Sequence, residues 1–299
     1  MSVSALCVGH ASWDLCFVVD GYPTENSKAE TQVLIESGGG PAANAAWLLA
    51  RWGISTALAA LVGQDDYGRR TLEELQRAGV DCRLIELRPA HLTPVSTILV
   101  NRSNGSRTII NRKAAGKLAL SNEAFAGLNP SLLLFDGHEL EASLAAMRAF
   151  PSAMTVLDAG SLREDTRELS RHVDYLVASQ RFSAQVIGES DVSAHWQSCL
   201  KKLRELNGKT VVVTLGEHGL IFDDGRKQGR IPAIQAKAVD TTAAGDIFHG
   251  AFAYALLQKM DLEVALRLAT TAAGLSVNKF GGRPSTPELA ATLKAMKNE

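Results

Sequence analysis

The chain lacks the features that mark secreted, membrane, metal-stapled or nucleic-acid-binding proteins. Its four cysteines, Cys7, Cys16, Cys82 and Cys199, lie far apart without a C-x-x-C pair. Neither a zinc site nor a disulfide framework is indicated, and a reducing cytoplasm is the expected setting. No run approaches the roughly 18 apolar residues of a membrane span. The first apolar stretch has no basic region before it, so secretion is not expected. Charge of one sign is not in excess: 31 Lys and Arg against 32 Asp and Glu leave a formal net charge of −1. That balance gives no reason to expect nucleic acid or an acidic membrane as partner. Neither a G-x-G-x-x-G after a strand nor the full Walker pattern occurs, which removes two common nucleotide-binding fingerprints. Trp13, Trp47 and Trp52 read as core or clasp residues, not as a base-stacking surface.

What is present is an ordinary globular composition, 46% apolar and 21% charged over 299 residues, ample for a large buried core. Short apolar runs at Ala5–Val8, Ala57–Leu61, Leu132–Phe135, Thr155–Leu157, Tyr175–Ala178 and Thr210–Thr214 read as strands. Helical patterns fall at Ala42–Trp52, Gly68–Ala78, Leu140–Ala149, Val192–Leu206, Gly245–Gln258, Leu262–Lys279 and Pro287–Lys297. The alternation predicts an α/β fold with a mainly parallel sheet covered on both faces. Two strand pairs break the rhythm. Trp13–Val19 and Glu30–Ile35 flank a turn-rich segment, and Ser96–Asn101 and Arg107–Asn111 flank Asn104-Gly105, a hairpin signal. They predict a small β-lid drawn from about 13–37 and 95–113. With no repeat or flexible linker, one domain over residues 1–299 is expected.

The most informative segment is Val239-Asp240-Thr241-Thr242-Ala243-Ala244-Gly245-Asp246-Ile247-Phe248-His249-Gly250. Small residues let backbone approach a ligand, and a helix start offers unpaired N–H groups to an anion. A carboxylate there can take a proton from a hydroxyl attacking a bound phosphate. Taken alone, a Gly-Asp pair at a helix start also reads as a simple cap. A second constellation, Gly38-Gly39-Gly40-Pro41-Ala42-Ala43-Asn44, opens the first long helix, with Asn44 offering both donor and acceptor.

The run D-T-T-A-A-G-D, together with Gly39, Gly40 and Asn44, resembles the two signatures of the ribokinase (PfkB) family of sugar kinases. The resemblance covers nearly the whole chain and implies a ribokinase-like three-layer fold using ATP and Mg²⁺. It implies Asp246 as catalytic base, with the amides of Ala243, Ala244, Gly245 and Asp246 as an anion hole. Asp14 matches the family Asp that binds two substrate hydroxyls, joined by Gly39, Gly40 and Asn44. Thr214, Gly216, Gly219, Asn278 and Gly245 are implied on the nucleotide side. Asp240, Thr242, Gly281 and Ser285 are implied around a monovalent cation such as K⁺, found in many members. Two departures stand out. Many members have Gly where Ala243 stands, and Ser179-Gln180-Arg181-Phe182 replaces an N-x-x-E whose Glu orders water around magnesium.

The lid carries the choice of sugar. Asn104–Ile110, with Arg107, resembles the lid hairpin of ketohexokinases, where Arg107 would neutralise phosphate or hold the closed lid. Pro23-Thr24-Glu25, Lys28, Asn111 and the Gly38–Pro41 loop resemble the sulfofructose kinase branch, with His138 where that branch has Arg. A neutral ketohexose is expected first and an acidic or sulfonated ketose second, ahead of a nucleoside kinase or a non-catalytic sugar sensor. His249 reads as a packed core residue. By the same resemblance, a homodimer joined through the lids is expected, since exposed lid edges invite a second subunit.

Overall fold

A computed structural model describes residues 3–297; the two residues at each end of the 1–299 span lie outside the described residues. In β1 (Ala5–Val8) the side chains alternate, Ala5 and Cys7 entering one core and Leu6 and Val8 the other. Burial on both faces is why such a strand reads as an unbroken apolar run. β2 (Ser12–Val19) and β3 (Leu34–Gly39) leave this sheet, and α1 (Pro41–Arg51) leads back to β4 (Thr56–Gly63). α2 (Asp66–Arg77) follows, capped by Asp65, whose Oδ1 accepts the Gly68 N–H at 2.8 Å. Next come β5 (Asp81–Arg88), β6 (Val95–Asn101) and β7 (Arg107–Arg112). The second half runs β8 (Leu132–Phe135), α3 (Leu140–Ala149), β9 (Met154–Ala159), α4 (Glu164–Ser170) and β10 (Tyr175–Ser179). It continues through α5 (Gln180–Ile187), α6 (Trp196–Asn207) and β11 (Thr210–Thr214) to the hairpin β12 (Leu220–Asp223) and β13 (Gln228–Ile231). α7 (Ala244–Leu257), α8 (Leu262–Ser276) and α9 (Leu289–Met296) complete the order.

The main sheet has nine strands in the order β13-β12-β11-β10-β9-β8-β1-β4-β5, all running the same way except β12, which pairs antiparallel with both β11 and β13. Helices α1, α2, α7, α8 and α9 cover one face and α3 to α6 the other. From β1 the chain proceeds outward to β4 and β5 on one side, and from β8 outward to β11 on the other. The carboxyl ends of β1 and β8 therefore frame a switch-point crevice, where such sheets bind ligands.

A second sheet, β3-β2-β6-β7, forms the lid. Its register places Ser37, Asp14, Ser96 and Asn111 in one row, and Ile35, Cys16, Ile98 and Ile109 in the next row of the same face. That face is the inner one, since Cys16, Ile98 and Val100 are buried with Phe280 against them.

The parallel strands agree with the sequence reading, but several boundaries and elements differ. β3 starts at Leu34 instead of Glu30, because ahead of it the Thr31 hydroxyl, and not the backbone, donates to the Val18 carbonyl and accepts the Val33 N–H. α6 starts at Trp196, the preceding turn being held by Asp191, which accepts the Ala194 N–H. α8 stops at Ser276, where the Val277 carbonyl accepts from Val239 N–H at 2.8 Å. The edge strand β5, the hairpin β12–β13 and the short helices α4 and α5 were not among the elements expected.

α7 is buried from Ile247 to Leu256 on every side, as a central helix must be. It crosses α1 so closely that a β-carbon on Gly250 would lie 3.2 Å from the Ala45 Cα and carbonyl oxygen. Gly250→Val is expected to push the two helices apart and cost about 1–3 kcal/mol. Urea unfolding checks this; an unchanged midpoint would refute the packing argument.

Candidate active site

The crevice is assembled around the starts of two helices. α1 begins at Gly40, whose φ of 93° is left-handed and whose missing β-carbon avoids the His10 carbonyl 2.4 Å away. Asp136, just past β8, secures this start: Oδ2 accepts His10 N–H at 2.8 Å and Ala42 N–H at 3.1 Å, and Oδ1 accepts His138 N–H at 3.0 Å. The sequence reading missed Asp136; its only signal was an acid directly after an apolar strand.

α7 begins at Ala243, in the left-handed region with φ 59°. A residue with a β-carbon is strained there, which explains why Gly is common at this place in proteins that this run resembles. The first-turn amides of α7 have no intrahelical partners by geometry, and a β-carbon on Gly245 would meet nothing within 4 Å. The helix start thus faces open space. Asp246, partly exposed, accepts from Asn44 Nδ2 through Oδ2 at 2.6 Å.

Behind Asp246 lies a second acid. Asp158, at the carboxyl end of β9, is buried, and its Oδ2 is 3.3 Å from His249 Nδ1, which also meets the Gly245 carbonyl at 2.6 Å. His249 is therefore the packed histidine expected, buried against Phe248 with its ring nitrogens at the Gly245 and Val177 carbonyls. Burial first, and the Asp158 charge second, push the Asp246 carboxyl well above the usual carboxylate range, against the lowering effect of Asn44. Burial likewise raises Asp158, and Asp136 adds to it. His249 is held below the ordinary histidine value by burial.

The triple glycine makes room for side chains. A β-carbon on Gly39 would lie 2.2 Å from Asp14 Oδ2, and one on Gly38 would lie 1.9 Å from Arg283 Nη1. Asp14 is buried in β2 and bonded to Ser12 Oγ at 3.1 Å. Burial raises its pKa, while Ser96, Ser12 and Arg283 lower it. Arg283 in turn donates to Asn44 Oδ1 at 3.0 Å and Asn44 donates to Asp246, so these three form one bonded chain, with Asp14 in the electrostatic field of Arg283. Sequence reasoning passed over Arg283 as part of a closing loop.

The lid residues divide. Arg107 donates from Nη1 to the Thr241 carbonyl at 2.8 Å and to the Thr241 hydroxyl, pinning the hairpin to the turn before α7. Of the two roles expected for it, holding the lid is the one seen. Asn111 shares the Asp14 row but is exposed. Lys28 lies in an exposed stretch between β2 and β3, apart from the cleft wall. His138 stacks on His10 with centroids 4.7 Å apart, and Arg163 Nη1 is 3.3 Å from its ring nitrogens. Burial is the main cause holding both imidazoles below their usual pKa, with Arg163 and Lys113 nearby adding to it. His138, where the resemblance places an Arg, is thus held toward its neutral form, and the guanidinium at this place is that of Arg163.

Of the residues expected on the nucleotide side, Thr214 ends β11 and Gly216 opens on empty space, whereas Gly219 is constrained by packing: a β-carbon would strike the Ile231 carbonyl at 2.0 Å. Asn278 donates to the carbonyls of Gly274 and Leu275 at the end of α8. Ser179 caps α5, accepting from Phe182 N–H at 3.0 Å, and Phe182 is fully buried. A core phenyl ring therefore occupies the place where a water-ordering Glu was missed. Among the described residues no group of three or more His, Cys, Asp or Glu is arranged to hold a metal. Mg²⁺ suits such a cleft only through phosphates and water. A different corner suits a hard monovalent cation. Buried Asp240 is fixed by N–H groups of Thr242 at 2.8 Å and Gly281 at 2.7 Å, and the buried Thr242 hydroxyl has no partner. Ser285, donating to the Gly282 carbonyl at 2.7 Å, closes the same loop.

Comparison with known proteins agrees with this geometry. The model of the pfkB family carbohydrate kinases matches residues 3–289. A ribokinase of Bacillus subtilis is 28% identical over 293 residues, covering 94% of this chain and 96% of that protein. A deoxyribokinase of Salmonella typhi is 26% identical over 293 residues, covering 94% and 95%. The structure of Arabidopsis thaliana ribokinase complexed with ribose and ATP aligns with a TM-score of 0.84 at 25% identity, covering 99% of each chain. With a family match spanning almost its whole length over a ribokinase-like fold, the chain belongs to the pfkB family of carbohydrate kinases.

Proposed function

We propose that this carbohydrate kinase transfers the γ-phosphate of ATP to a hydroxyl of a small free sugar, with Asp246 as general base. The observation that carries the reading is the Asn44–Asp246 hydrogen bond at the open start of α7. Asn44 occupies one carboxylate oxygen and leaves the other for the sugar hydroxyl. A raised pKa makes the carboxylate a stronger base than an ordinary Asp. The hydroxyl proton passes to Asp246 as its oxygen attacks the phosphorus, and ADP leaves. The amides of Ala243 to Asp246 would hold the γ-phosphoryl oxygens as charge builds on them. Asp14, Gly39, Gly40 and Asn44 would hold the sugar, and Thr214, Gly216 and Asn278 would border the nucleotide, Gly219 shaping its loop. Mg²⁺, carried with the phosphates, would neutralise their charge. A monovalent cation held by Asp240 and Thr242, with Gly281 and Ser285 closing the loop, would steady the turn before α7. One kinase unit over the whole chain, in a reducing cytoplasm consistent with four free cysteines, completes the reading.

The ketohexose expected from the lid gives way in our reading to a pentose of the ribose type, because the full-length relatives are named for ribose and deoxyribose. An acidic sugar is the second reading. It is favoured by Arg163, whose Nε is buried without a partner beside His138.

Turnover should be measured with ATP and Mg²⁺ over ribose, deoxyribose, neutral and acidic ketoses, and nucleosides. Ribose-type sugars are expected to give the highest kcat/KM, and Asp246→Asn should lower kcat about 10²–10⁴-fold while retaining sugar binding. Full turnover in that variant, or a nucleoside as best substrate, would overturn the assignment.

Asp158 tunes the base. The two acids titrate as a pair, and ionising both sets two negative charges close together, so Asp158→Asn, which removes that repulsion, keeps the Asp246 carboxylate ionised to lower pH. The acid limb of kcat against pH is expected to move to lower pH; a limb that stays in place contradicts this coupling.

The outer lid face presents Leu15, Phe17, Leu34, Leu99 and Ile110, with Leu34 48% and Ile110 64% exposed. We propose that a second subunit covers this face, giving a homodimer through the lids. Light scattering should report a dimer, and Ile110→Lys should shift it to monomer; a monomeric parent chain excludes the interface.

A further inference from the structure

We infer that Arg283 is a positioning residue for the reaction: it sets which end of the Asn44 amide meets Asp246. The inference rests on the proposed role of Asp246 and concerns how that base is oriented.

A primary amide presents a carbonyl oxygen and an NH₂ of nearly equal shape, so Asn44 could meet a carboxylate with either end. Only the NH₂ end can donate to it. Arg283 removes the ambiguity, because a guanidinium has donors and no acceptor. Its Nε–H donates to Asn44 Oδ1 at 3.0 Å, which turns Nδ2 toward Asp246 Oδ2 at 2.6 Å. The reversed amide would set NH₂ against Nε–H and oxygen against carboxylate, two repulsive pairs at once.

Arg283 is itself held from three sides. It is 2% exposed and among the largest fully buried side chains of the molecule. Nη1 pairs with Glu74 Oε2 at 3.2 Å, and the same oxygen accepts the Gly38 N–H at 2.5 Å. Nη2 points to the Gly39 carbonyl at 3.5 Å, and the glycine at 38 leaves the space the guanidinium fills. Glu74 is in α2, Gly38 and Gly39 in the lid strand β3, Asn44 in α1 and Asp246 in α7. A planar fork that serves Glu74 and Asn44 together is a task a lysine ammonium cannot reproduce. Burying a guanidinium carries a large desolvation cost, so its presence under the base calls for a role that an apolar residue could not fill.

The test compares Arg283→Met and Arg283→Lys with the parent chain, following kcat, sugar KM, thermal stability and the titration of the Asp246 carboxyl by carbon-13 NMR. The Asp246 signal is assigned by its loss in Asp246→Asn. In Arg283→Met the amide is no longer oriented and a nearby positive charge is gone. The Asp246 titration and the acid limb of kcat are then expected to move to higher pH, with kcat lower by about 100-fold and KM changed far less. Arg283→Lys, which keeps the charge and is the variant to rely on if the Met form does not fold, should keep the titration near that of the parent. It should still lose kcat, because one ammonium cannot orient the amide and hold Glu74. In an Asn44→Ala background, Arg283→Lys should produce little further loss. Parent-like kcat in Arg283→Lys overturns the proposal, as does an additive loss in the Asn44→Ala background or an unmoved Asp246 titration in folded Arg283→Met. Absence of turnover by the parent chain with every sugar would count against the kinase reading, while the NMR titration would still judge the role of Arg283.

Discussion

Two helices begin within hydrogen-bonding distance of each other, and the bond from Asn44 to Asp246 between their first turns fixes the geometry of the cleft. Its position follows from the sheet. The β1–β8 switch point leaves a gap into which the starts of α1 and α7 both fit, and the close crossing at Gly250 and Ala45 sets their separation. The start of α1 is secured by Asp136, so the amide of Asn44 enters the gap from a rigid support. The start of α7 is secured through the turn at Thr241, which Arg107 of the lid holds from above. A one-ångström drift of either helix would open a bond this short, and misplacement on that scale is costly to catalysis.

The lid is tied to the same bond. β3 runs directly into α1, so the glycines that end the strand also begin the wall of the cleft. Gly38 and Gly39 admit Arg283 and Asp14, two groups that would exclude any larger residue at either place. Movement of β3 must therefore carry Asp14, and the Arg283 contact with Asn44, along with it. Lid position and base orientation form one mechanical unit in this architecture.

Much of this was legible in the sequence because it is local. β1, β8 and β11 are apolar runs bounded by polar turns, and their observed limits coincide with those runs. The Asp240–Asp246 run announced a helix start beside an acid, and the Asn104-Gly105 hairpin formed where its residues demanded. What escaped is long-range. Arg283 and Asn44 are 239 residues apart, and Asp136 binds Ala42 across 94. No spacing rule connects such partners. β12 and β13 are four residues each, too short to show a period. Gly219 was expected on the nucleotide side, but that a glycine is required there by the Ile231 carbonyl at the end of β13 is visible only in the fold. The lowered pKa of His138 also depends on burial and on Arg163, Lys113 and Lys117, which only the fold brings around it.

The buried acids of the cleft differ in how they are satisfied, and that difference separates structural from reactive ones. Asp136 accepts three backbone N–H groups and Asp240 accepts two, so both carboxylates serve to hold turns. Asp14 lies among serine hydroxyls with Arg283 nearby, and although burial raises its pKa, it sits on the lid strand β2 and not at a helix start, an arrangement suited to holding sugar hydroxyls. Asp158 is closed off beside His249. Asp246 accepts a single side-chain donor among the described residues and keeps an exposed edge at a helix start whose amides attract phosphate. A carboxylate with a free oxygen, a raised pKa and an anion site beside it is set up to remove a proton, and in this cleft only Asp246 combines all three.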